Sequence, residues 1–86
     1  MNITIQNDDF EDLYVWVWDQ YGSNPQAPIL ERRMLRRSGN IPVFVESDSN
    51  DRGNVTWSAV RVNDQNRTGQ GSARPQVGDQ VHVRTS

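Results

Sequence analysis

The chain has 86 residues, 34% of them hydrophobic, a formal net charge of −2, and neither cysteine nor lysine; its pI is near 5.1. That length sets one compact domain as the limit, and the missing residue types exclude disulfides, thiolate metal sites, thiol nucleophiles, P-loop lysines and Schiff-base chemistry. The longest apolar run, Leu13 to Trp18, falls far short of the ~20 residues a membrane-spanning helix needs, so no membrane partner is expected.

Met1 leads directly into Asn2-Ile3-Thr4-Ile5-Gln6 without the basic and apolar regions of a secretory signal, so a cytoplasmic setting is expected. Ile3 and Ile5 alternate with Thr4 and Gln6 before the turn residues Asn7-Asp8-Asp9, which predicts a short first strand. Residues 13–19 give the strongest strand signal, with Leu13, Val15 and Val17 on one face and Tyr14, Trp16 and Trp18 on the other. A strand apolar on both faces belongs in the middle of a layered structure. Glycine, asparagine and two prolines between Gln20 and Pro28 predict a loop.

Residues 29–37 read two ways. Helix-forming residues, Pro28 at a first helical position and the i, i+4 pair Leu30 and Met34 favour a short helix; the limited length and the strand signals on either side favour extended chain. Ser38-Gly39-Asn40 predicts a turn. Residues 41–46 predict a strand that begins at Pro42 or lies on an edge, because proline cannot donate to a ladder. After a polar turn over 47–54, residues 55–62 predict a strand. Its inward set moves from Val55, Trp57 and Ala59 to Val60 and Val62, which implies a bulge near Ala59. Residues 63–76 predict a long loop, and Val81 and Val83 alternate with Gln80, His82 and Arg84 in a last strand.

Five or six short strands separated by turn clusters imply a single all-β domain over residues 1–86, a small antiparallel β-sandwich, immunoglobulin-like, or a barrel, with a short helix at 29–37 as the one alternative element. The first Ile-Thr-Ile and last Gly-Asp-Gln-Val-His-Val segments resemble strands of immunoglobulin-like and lectin-like sandwiches, a likeness of fold that leaves function open. A mean hydropathy of −0.83 implies a thin core, which self-association into a homo-oligomer would supplement.

The row Tyr14, Trp16, Trp18 is the most informative candidate site. Rings on alternate strand positions stand about 7 Å apart, a spacing that suits stacking on successive sugar rings. Asp19, Gln20, Tyr21 and Asn24 follow closely enough to offer hydrogen bonds to hydroxyls. Trp16, Trp18, Asp19, Tyr21 and Asn24 are therefore the expected glycan-binding residues of a non-enzymatic module. The competing expectation is a structural or protein-interaction domain that buries the same rings, or an edge strand, against another copy or another protein.

Other motifs carry less. Asp48-Ser49-Asn50-Asp51-Arg52-Gly53 alternates oxygen ligands as a calcium loop does, but Arg52 stands at the fifth position and no bidentate glutamate follows, so no metal site is expected. Arg32, Arg33, Arg36 and Arg37 form the one basic cluster. In an acidic protein these are expected to be solvated, or paired with Asp8, Asp9, Glu11 and Asp12, rather than bound to nucleic acid. His82 is the lone histidine, no serine-histidine-acid grouping is evident, and Gly69-Gln70-Gly71 lacks the third glycine of a dinucleotide loop. No catalytic residues and no cofactor are expected.

Overall fold

Side chains at alternate positions divide most strands of this chain into a buried row and a solvent-facing row. The computed structural model describes residues 1–86. Its seven strands are β1 (Asn2–Asn7), β2 (Leu13–Asp19), β3 (Leu30–Leu35), β4 (Asn40–Phe44), β5 (Val55–Arg61), β6 (Thr68–Ala73) and β7 (Gln80–Val83). They form two sheets with strand orders β4-β1-β7 and β3-β2-β5-β6. The chain is thus all-β, as its alternation predicts, and the sheets pack as a sandwich. Between them lie Ile3 and Ile5 of β1, Leu13, Val15 and Val17 of β2, Val55 and Ala59 of β5, and Val81 and Val83 of β7, together with Leu35 and Val45.

All pairings are antiparallel except that of β1 with β7, which is parallel. The β2–β5 pair sits where an immunoglobulin constant-type sheet has its central pair. That order keeps strands one and four beside it, whereas here β1 and β4 lie in the opposite layer. No helix is long and apolar enough to cross a membrane.

Residues 29–37 hold a strand and no helix, and the reason is where two leucines must go. Leu35 pairs opposite Leu13 and Leu30 opposite Val17. Five residues apart, they would fall on opposite faces of a regular strand. An extra residue in β3 opposite Trp16 corrects the phase and turns both toward the core. Arg32 accommodates that irregularity with a left-handed backbone, φ 48°.

Two further expectations are corrected. The bulge predicted near Ala59 does not exist: β5 pairs without interruption with both neighbours, and Val60 is apolar because it joins the outer face opposite Tyr14. The loop predicted over 63–76 contains β6, Thr68-Gly69-Gln70-Gly71-Ser72-Ala73. This segment has no apolar alternation because neighbours occupy its inner side-chain space. A Cβ on Gly71 would stand 2.8 Å from the Trp57 ring, and one on Gly69 would collide with the Arg84 carbonyl.

Candidate functional site

Strand β2 faces two environments. Leu13, Val15 and Val17 are fully buried, while Tyr14, Trp16 and Trp18 are half-buried on the outer face of the four-stranded sheet. In antiparallel pairing, directly opposed residues share a face, so the register extends this surface strand by strand. On one side Met34 of β3 stands opposite Tyr14. On the other, Val60, Ser58 and Thr56 of β5 stand opposite Tyr14, Trp16 and Trp18, and beyond them lie Thr68, Gln70 and Ser72 of β6. Three rings therefore run along a central strand beside a band of hydroxyls and an amide. The Gln20 side chain continues the β2 row and donates to the Thr56 hydroxyl at 3.1 Å, which places a fixed polar pair beside Trp18.

One cation adjoins the rings. The Arg32 guanidinium lies 4.2 Å from the centroid of the Tyr14 ring, carried there by the β3 bulge. Met34, at 44% exposure, completes this end of the surface.

The expected site residues divide between two places. Trp16 and Trp18 lie together on the outer face, whereas Asp19, Tyr21 and Asn24 lie at one end of the sandwich, in a shallow recess that Ile29, Phe44 and Glu46 also line. Asp19 is buried, and its carboxylate brackets the backbone, accepting the Tyr21 N–H at 3.0 Å and the Glu46 N–H at 2.9 Å. The Tyr21 hydroxyl accepts from Arg74 at 2.8 Å, and the same guanidinium lies 5.5 Å from the centroid of the Tyr21 ring. Asn24 is exposed in the loop. Sequence reasoning did not single out Thr56, Ser58, Gln70, Ser72 and Arg32 for this surface. Their alternation along β5 becomes a signal once the β2–β5 register is known, whereas β6 and the bulge carry no pattern of their own.

The ion pairs of the structure are structural latches. Asp9 is buried and pairs with Arg61 at 3.0 Å. It also accepts the Thr85 N–H at 2.7 Å and the Thr85 hydroxyl at 2.6 Å. Burial alone would raise the Asp9 pKa. The Thr85 hydrogen bonds, the Arg61 charge and the Phe10 amide outweigh it and hold the carboxyl below its ordinary value. Asp9 is thus paired with Arg61, and none of the four clustered arginines forms an ion pair.

Asp48 organises the 46–54 turn, accepting the Arg52 N–H at 3.0 Å and the Asn50 N–H at 2.8 Å and pairing with Arg74 at 2.9 Å. The Arg52 and Asn50 amides, with Arg74 beside them, lower its pKa. No group of three or more acidic or histidine side chains is placed to hold a metal ion, and His82 is exposed. Compared with protein-family models, with curated proteins and with solved structures, the chain matches none.

Proposed function

We propose that this chain is a non-enzymatic binding module that takes up a glycan on the outer face of its four-stranded sheet. The observation that supports the reading is the row of Tyr14, Trp16 and Trp18, partly exposed along the central strand β2 while the alternate residues of that strand supply the core. Aromatic rings that meet water along a contiguous row mark interaction sites. Flat rings along one line, flanked by Thr56, Ser58, Gln70 and Ser72, offer stacking for sugar rings and hydrogen bonds for hydroxyls. Compared with the expected set, the proposed site keeps Trp16 and Trp18 and adds Tyr14 and the β5–β6 polar band. Asp19 and Tyr21 serve as bracing.

Affinity electrophoresis through a panel of soluble polysaccharides tests this. The wild-type chain is expected to be retarded by at least one polymer, and Trp16→Ala and Trp18→Ala each to weaken that interaction by at least about tenfold, the effect of removing one anchoring ring. Absence of retardation by every polymer, or variants that bind like wild type, overturns the proposal.

A second reading, self-association, draws on the sheet edges. Edge strand β3 is arginine-rich and bulged and β4 carries Pro42, both of which discourage pairing with another strand; β6 has no charge, proline or bulge. Light scattering that shows one monomeric mass across a concentration series sets this reading aside.

A further inference from the structure

We infer that the glycan taken by the outer face is acidic and that Arg32 reads its acid group. This rests on the proposed platform and names its ligand class.

The first argument is placement. The extra residue of β3 is needed because Leu30 and Leu35 must both turn inward, and an asparagine or glycine would tolerate the left-handed conformation at lower cost. Arg32 occupies it instead, at φ 48°, with its guanidinium 4.2 Å from the centroid of the Tyr14 ring. The second argument is the state of that guanidinium. Stacking desolvates one face of it, and its N–H edge makes neither an ion pair nor a hydrogen bond within the protein. The ion pairs present belong to Arg61 and Arg74, and neighbouring Glu31 pairs with nothing. A planar fork held flat and left without an acceptor is matched by a carboxylate, which it binds through two parallel hydrogen bonds.

The third argument is the charge of the surroundings. Thr56, Ser58, Val60, Thr68, Gln70 and Ser72 make the β5 and β6 part of the face neutral, and the one nearby carboxylate, Glu31 in the β3 bulge, forms no ion pair with Arg32. Arg36 and Arg37 follow at the same end, exposed and outside any ion pair. Three rings beside one stacked cation and a band of hydroxyls suit a sugar chain of which one acid group at a time is read. A single-stranded nucleic acid binds chiefly through cations that track its backbone, and β5 and β6 carry none on this face.

Titration calorimetry with polygalacturonate, its methyl ester, chondroitin sulfate and an oligothymidylate tests the inference on wild type, Arg32→Gly and Trp16→Ala. Wild type is expected to bind polygalacturonate at least about tenfold more tightly than the methyl ester at low salt, with the gap narrowing as salt is added. Arg32→Gly, which relieves the backbone strain and so retains the fold, is expected to close that gap while methyl-ester binding persists. Tighter binding of chondroitin sulfate with the same dependence on Arg32 supports the acid class, with sulfate as the group read.

Equal binding of the acid and the ester by wild type, or an undiminished preference in Arg32→Gly, overturns the inference and leaves the platform standing. Failure to bind any of the polysaccharides, or binding that Trp16→Ala leaves unchanged, overturns both. Tightest binding of the oligothymidylate overturns the glycan in favour of nucleic acid.

Discussion

The outer faces of the two sheets meet the same solvent with different chemistry. On the three-stranded sheet, Thr4 and Gln6 of β1 lie beside Asn40 and Pro42 of β4 and Gln80 and His82 of β7, so the face is polar but for Pro42 and, at its end, Phe44, 62% exposed. On the four-stranded sheet the central strand and its nearest neighbours hold Tyr14, Trp16, Trp18, Met34 and Val60, with the polar residues of β5 and β6 to one side. Both sheets bury their inner rows completely enough to fold, and the polar face shows that an outer row needs no rings. The aromatic row is therefore surplus to the sandwich, and its use is sought in what it touches.

Truncations on the two inner rows are the strongest check that the sheets differ only outside. Ile5→Ala and Leu13→Ala, both at fully buried positions, are each expected to lower stability by about 3 kcal/mol in denaturant titrations. A much smaller loss for Leu13→Ala would mean that β2 is not anchored from within.

Asp9 is next in size. It follows β1, pairs with Arg61 at the end of β5 and holds Thr85 beyond β7, so it ties the two sheets together. Asp9→Asn is expected to cost about 2 kcal/mol, the range for hydrogen bonds to a charged group. Because the folded carboxyl titrates below its ordinary value, its contribution is complete above the unfolded pKa near 4 and disappears as pH falls through the folded one. Thermal melts should accordingly show wild type losing stability below about pH 4 and Asp9→Asn losing less.

The outer rows give the smaller stability effects and the sharper contrast. Trp18→Ala is expected to cost about 1.5 kcal/mol, less than loss of a fully buried ring, since part of the ring meets solvent already. Iodide should quench the fluorescence of Trp16 and Trp18; equal protection of all three indoles would close the platform. Thr4→Ala and His82→Ala, on the polar face, should alter stability by no more than about 0.5 kcal/mol and leave glycan binding as in wild type.

Much of the architecture is legible in the residues. The alternation at Ile3 and Ile5, Leu13 to Trp18 and Val81 and Val83 predicts β1, β2 and β7, because a side-chain period of two has one structural meaning. Strand β6 is hidden because its inner positions must be empty, and emptiness leaves no periodic signal. The β3 bulge is hidden because a leucine spacing of five looks wrong for a strand until one residue is looped out. For the candidate site, the alternation that aligns Trp16 with Trp18 also requires Asp19 to turn inward, so the buried bracket was implicit in the same pattern that suggested a ligand. The distribution of Tyr21 and Asn24 to the end recess depends on loop paths, which local propensity does not specify.

The parallel pairing of β1 with β7 has a consequence for assembly. The strand translated first finds its two neighbours only at residues 40–44 and 80–83, and must wait on the ribosome for both. Strands β2, β3, β5 and β6 can complete their sheet once residue 73 is made, whereas the layer of β4 and β1 is closed only by β7, so one flank of Ile3 and Ile5 stays uncovered until the last strand follows. Such long sequence separations place refolding on the millisecond-to-second scale, and chaperone engagement, where it occurs, would fall on that bare flank of β1.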